Sequence, residues 1–112
     1  MEKIDKPWGH EEIIIQNDKY VVKKLFIKAK HRLSLQMHER KHETLFALEG
    51  NPSITLKEQF ISLTIGGYVD IPNLTIHRIA ASGNMDALLL EVSTPELNDV
   101  IRYEDDYGRV AI

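Results

Sequence analysis

The chain has 112 residues, no cysteine, five histidines and a net charge of -3. That length suits one domain, since domains typically run about 100–150 residues, and it supports a core without covalent staples. The lack of cysteine excludes a disulfide scaffold, a Cys zinc finger, an iron–sulfur cluster and a thiol nucleophile. Any metal must therefore be held by His, carboxylate or amide oxygen. With 14 basic against 17 acidic residues there is no basic stripe of the kind nucleic acid selects. The opening Met-Glu-Lys-Ile-Asp-Lys lacks an apolar signal core, and apolar runs stop at three or four residues, as at Ile13-Ile14-Ile15. Neither a secretory leader nor a membrane span is expected. The expectation is a cytoplasmic single domain over residues 1–112.

In chain order, the periodicity is that of short strands. After a short lead-in, Tyr20 to Lys28 is rich in β-branched and aromatic residues. Leu33, Leu35 and Met37 then alternate with Ser34, Gln36 and His38. Thr44 to Leu48, Ser53 to Leu56, Phe60 to Ile65, Gly67 to Ile71, Thr75 to Ala80 and Ala87 to Val92 follow. Asn17-Asp18, Gly50-Asn51-Pro52, Gly66-Gly67, Pro72-Asn73 and Ser82-Gly83-Asn84 break the runs. Eight or nine strands at about ten-residue spacing predict an all-β sandwich or barrel. The charged tail from Pro95 to Arg109 is expected to hold at most one helical turn.

Two metal readings overlap in one segment. His38-Glu39-Arg40-Lys41-His42 matches H-E-x-x-H, which binds zinc when a helix brings both histidines to one face. The preceding period-two alternation and the central Arg-Lys pair argue against that helix. The second reading takes Gln36 and His38, two apart and so on one strand face with Cα atoms about 7 Å apart. Glu43 has an odd offset from His38 and rejoins that face only if the chain turns through Glu39 to His42. It shares its own face with Leu45 and Ala47, where a carboxylate needs a partner such as a cation. His77, on the Thr75/His77/Ile79 face, could supply a fourth ligand. His10, His31 and His42 lack the spacing and read as solvated.

Gln36-x-His38-x4-Glu43-x6-Gly50, followed by Gly67, Pro72 and His77, resembles the two cupin motifs. Lys30 stands where the first motif has a glycine, Leu74 replaces the glycine before the last histidine, and Gln36 replaces the first histidine. Leu33-Ser34-Leu35-Gln36-Met37-His38 resembles the L-S-L-Q-x-H of the cupin domain in type II phosphomannose isomerases, including the bifunctional isomerase/mannose-1-phosphate guanylyltransferases. Lys6-Pro7-Trp8-Gly9, His77-Arg78, Glu91-Val92 and Ile101 to Arg109 resemble other motifs of that family, so the similarity runs from Lys6 to Arg109.

The resemblance implies a cupin jelly-roll barrel (a double-stranded β-helix) holding one divalent metal ion, Zn or else Mn, Fe, Co or Ni, on Gln36, His38, Glu43 and His77. It implies interconversion of mannose 6-phosphate and fructose 6-phosphate. Two other readings remain: a cupin dioxygenase or epimerase, and a non-catalytic module that binds a sugar or sugar nucleotide. Lys41 stands at the family's arginine, Leu45 at its tryptophan, and no Gly-rich nucleotide loop occurs in this sequence. Candidate catalytic groups are Lys41, Arg78 and Arg109; candidate substrate phosphate partners are Arg78, Arg102, Lys41 and Arg109. Trp8 reads most simply as an apolar cap on one barrel end, the alternative being a wall on the substrate side. The outward faces of Leu35, Met37, Phe46 and Leu48 suggest a second sheet or a second subunit, and so a homodimer.

Overall fold

Strands form wherever apolar and polar side chains alternate strictly. In a computed structural model, which describes residues 2–110, Val21, Lys23, Leu25 and Ile27 are buried and the residues between them half-buried. The strands in chain order are β1 (Glu2–Lys6), β2 (Gly9–Gln16), β3 (Val21–Ile27), β4 (His31–Arg32), β5 (Leu35–Met37) and β6 (Glu43–Glu49). They continue as β7 (Ser53–Leu56), β8 (Gln59–Ser62), β9 (Tyr68–Ile71), β10 (His77–Ala81), β11 (Ala87–Ser93) and β12 (Ile101–Glu104). One antiparallel sheet runs β1-β2-β3-β11-β6-β9. The other runs β12-β5-β10-β7-β8, with β4 also paired to β10. Neighbours distant in sequence, such as β3 beside β11 and β5 beside β10, wind the chain back and forth between the two sheets.

Twelve strands among the described residues exceed the eight or nine expected. The unexpected ones are β1, β2, β4 and β12; β1, β4 and β12 carry little apolar signal, whereas β2 holds the Ile13-Ile14-Ile15 run without a period of two. β1 is an exposed edge strand, joined to β2 through the Pro7-Trp8 turn with Lys6 opposite Gly9. β12 replaces the helical turn expected in the tail. Its Ile101 and Arg102 stand opposite Met37 and Gln36 of β5.

Leu25, Leu45, Ile54, Ile71, Ile79 and Leu89 fill the space between the sheets and are at most 1% exposed. Burying each such side chain contributes roughly 1.5–3 kcal/mol. Trp8 joins this cluster and closes it at the β1–β2 turn. The outward Phe46 lies against Tyr68 of β9, ring centroids 5.8 Å apart. Gly50 ends β6 with φ at +77°, and a Cβ there would lie 2.2 Å from the Asp86 carbonyl oxygen. Glycine is needed at that position both for the left-handed conformation and for the close approach. Among the described residues no helix is long and apolar enough to cross a membrane.

Candidate metal centre

The two sheets each bring a ligand to the space between them. β6 begins at Glu43, whose face continues through Leu45 and Ala47 into the core, all three buried. β10 begins at His77, whose face continues through Ile79 and Ala81. His38 follows β5 directly, and the chain then turns through Glu39 and Arg40 as the sequence requires. That turn is fixed by Asp99, whose carboxylate accepts the backbone N–H groups of Glu39, Arg40 and Lys41 at 3.2, 2.6 and 2.9 Å.

Both histidines are held in one tautomer by backbone carbonyls. His38 Nδ1 lies 2.6 Å from the Asp99 carbonyl oxygen, and His77 Nδ1 lies 2.9 Å from that of Thr75. An Nδ1–H donated there leaves each Nε2 as a lone pair. His77 Nε2 is 3.0 Å, and His38 Nε2 3.7 Å, from Glu43 Oε1. These three atoms are buried and have no hydrogen-bond partner. Three acceptors face one another, and a cation satisfies all of them at once. Nitrogen and oxygen donors at 2.0–2.2 Å from one metal sit about 3–3.5 Å apart, close to the spacing seen. His38, Glu43 and His77 therefore fit a metal ion.

Burial pushes the His38 pKa below the ordinary imidazole range, and the Lys41 charge adds to that, so the ring is neutral and ready to ligate. Burial alone would raise the Glu43 carboxyl, and the Lys41 ammonium, 3.3 Å from its other oxygen, opposes that and pulls it down.

Lys41 is buried, with Nζ 3.3 Å from Glu43 Oε2 and 2.9 Å from Glu91 Oε2. Burial opposes its charge, yet Glu91 and Glu43 prevail and hold its pKa above the ordinary lysine value. Glu91, opposite Lys23 on β3, is pushed up by burial and by the Glu43 charge. Lys23 in turn reaches Glu11 at 3.4 Å.

A cavity of about 90 Å³ opens beside the donors, lined in part by Gln36, His38, Lys41, Glu91, Arg102 and Arg109. The structure thus gathers Gln36, His38, Lys41, Arg102 and Arg109 around one space, with Glu43 and His77 behind it. Gln36 stands opposite His77 across the β5–β10 ladder, its amide oxygen accepting from the Ser34 hydroxyl at 2.8 Å. Arg78 is not brought to the cavity lining. It follows the inward His77, so alternation turns it to the other face. There its Nε donates to the Leu33 carbonyl and a terminal nitrogen lies 3.3 Å from Glu104.

The H-E-x-x-H reading fails on geometry. The segment is no helix, and His42 turns away to Asp70, 2.8 Å from Nε2. Glu91, Lys23, Glu11 and Asp99 were not singled out as site residues from sequence. Lys23 and Glu91 had a signal: each is a charge on an otherwise apolar strand face.

Fold and site together define a cupin: a jelly-roll barrel with a His-Glu-His cluster between its sheets. An RmlC-like cupin from Shewanella frigidimarina shares this fold with a TM-score of 0.77 at 16% identity, over 87% of this chain and 86% of that one. The chain belongs to the family described as mannose-6-phosphate isomerase C-terminal, which matches residues 1–106. It is 32% identical over 110 residues to the xanthan biosynthesis protein XanB of Xanthomonas campestris pv. campestris, covering 96% of this chain and 24% of that protein. It is also 32% identical over 111 residues to the mannose-1-phosphate guanylyltransferase ManC of Salmonella typhimurium, covering 96% of this chain and 23% of that protein. The chain thus spans about a quarter of the length of these relatives.

Two outcomes are expected. Metal analysis of the purified protein will show an ion that is lost in His38→Ala, Glu43→Gln and His77→Ala and kept in His42→Ala. Lys41→Met leaves two buried carboxylates without their cation, so denaturant unfolding of the metal-free protein will show a loss of about 3–5 kcal/mol. Added metal, which gives Glu43 a new partner, will restore part of it.

Proposed function

We propose that this cupin is a metal-dependent sugar-phosphate isomerase that interconverts mannose 6-phosphate and fructose 6-phosphate. The observation that carries the reading is the cluster of three orphaned donor atoms beside a cation-lined cavity, in a chain of this family. His38, Glu43 and His77 hold the metal, and Gln36 is its fourth ligand. Imidazole, carboxylate and amide oxygen form a borderline-to-hard set that suits Zn, or Mn, Fe, Co or Ni. When bound, the metal polarises a carbonyl and the adjacent hydroxyl.

The chain's own groups handle the proton and the charge. Isomerisation moves a proton between C1 and C2 of the sugar and needs a group that can take and return it. Lys41 is held charged by two carboxylates, so it serves as a fixed positive charge on the cavity wall. Glu91 lines the same cavity with a carboxyl pushed up by burial, which suits it to carry the proton. Arg102 and Arg109 face the substrate phosphate, while Arg78 braces the barrel from its other face. The cavity of about 90 Å³ is too small to enclose a hexose phosphate, so the sugar extends through its opening. The protein works in the cytoplasm as a homodimer, and the outward Phe46–Tyr68 pair supports an apolar contact with a second copy.

A coupled assay that follows mannose 6-phosphate consumption tests the reading. Metal-loaded protein is expected to turn over and chelator-stripped protein to lose at least about 100-fold in rate, with recovery on metal addition. Stoichiometric metal without turnover on any hexose phosphate would exclude the isomerase and leave a sugar-binding module.

A further inference from the structure

Residues 38–41 present four donors that no strand ladder takes: His38 Nδ1 and the backbone N–H groups of Glu39, Arg40 and Lys41. Such donors need partners wherever the chain is packed. All four go to Asp99. Its carboxylate accepts the three N–H groups at 3.2, 2.6 and 2.9 Å, and its carbonyl oxygen lies 2.6 Å from His38 Nδ1. The carboxylate therefore shapes the loop, and the carbonyl aims the ring that ligates. The next loop residue is tied to the same stretch of chain. His42 N–H donates to Thr94 Oγ1, and Thr94 N–H to the His42 carbonyl, both at 3.0 Å.

Asp99 also lies in the stretch that walls the metal cavity, where Leu97, Val100, Arg102 and Arg109 form part of the lining. Beyond Asp99 this wall is held lightly. β12 pairs with β5 through Ile101, Arg102 and Glu104, with an irregularity between the last two. The ion pairs Arg78–Glu104 and Arg32–Asp106 involve carboxylates that are 67% and 44% exposed. Exposed pairs contribute little, so they leave the wall free to open and close.

We propose that Asp99 is a positioning residue that links metal binding to closure of the C-terminal wall, residues 97–109. When the wall opens at Asp99, His38 loses the acceptor that keeps its Nε2 facing Glu43 and His77. A metal held by His38 Nε2 binds the closed form more tightly, and it favours closure by the same factor. Hydrogen bonds that orient a ligating histidine are worth about 10–100-fold in metal affinity. The wall thus tightens when the centre is loaded. The linkage rests on the metal centre described above and is independent of the isomerase chemistry.

Hydrogen exchange and chelator-competition titrations on the full chain, with zinc as the probe, test the linkage. Zinc is expected to slow exchange of the β12 amides at least about tenfold. The amides of β8, at the opposite edge of the same sheet and carrying no ligand, are expected to keep their rate. Asp99→Ala is expected to weaken zinc at least about tenfold. At zinc concentrations that saturate this variant, the slowing at β12 is expected to vanish. If Asp99→Ala does not fold, Asp99→Asn, which keeps one acceptor oxygen, carries the test, with weaker zinc binding and reduced slowing expected. Zinc affinity unchanged in the variant, or β12 still slowed to the same extent in it, would overturn the linkage. Wild-type protein that binds zinc with β12 no more slowed than β8 would overturn the linkage alone, whereas no zinc binding at all would overturn the metal centre with it.

Discussion

Three lone pairs that have nowhere else to go dominate this molecule. His38 Nε2, His77 Nε2 and Glu43 Oε1 are buried together, and each histidine has its other nitrogen committed to a backbone carbonyl. Such an arrangement is unfavourable when empty, because desolvated acceptors facing one another repel. It becomes favourable once a cation enters. The barrel makes the arrangement possible, since β6 and β10 belong to different sheets whose inner faces oppose each other. Asp99 ties the turn after His38 to the chain just ahead of β12, so the ligand loop and the C-terminal strand are held as one unit.

Charge inside the barrel is organised around that centre. Lys41 holds the second oxygen of Glu43 and passes on to Glu91, which faces Lys23, which reaches Glu11. The alternation of sign lets five ionisable groups share a space that would accept none of them alone. It also separates roles. Glu43, with its carboxyl held low, stays an anion for the metal, whereas Glu91 is pushed the other way. Two carboxyls one lysine apart are thus pushed in opposite directions.

Much of this was legible in the sequence, and the limits have physical causes. The alternation in β3, β6 and β11 marked the core strands because one face of each is fully buried. The odd offset between His38 and Glu43 required a turn, and the turn is there. Of the strands that escaped notice, β1 and β12 lie at sheet edges, where exposure removes the apolar alternation, β4 is only two residues long, and in β2 an irregularity between Ile13 and Ile15 interrupts the period of two. The charged groups of the cavity were harder still. Arg78 follows the inward His77, so alternation alone turns it to the other face, whereas only the pairing register shows that Arg102 shares the face of Gln36. Lys41 read as a free phosphate-binding cation because its partner Glu91 is 50 residues away in sequence.

These three donors are placed to hold one metal ion. Crystals of the protein grown with manganese or zinc, with data collected at the metal's absorption edge, test it directly. One strong anomalous peak is expected within bonding distance of His38 Nε2, Glu43 Oε1 and His77 Nε2, on the Gln36 side of the cavity. A peak at His42 and Asp70 instead, or an ordered donor cluster with no peak at saturating metal, would contradict it.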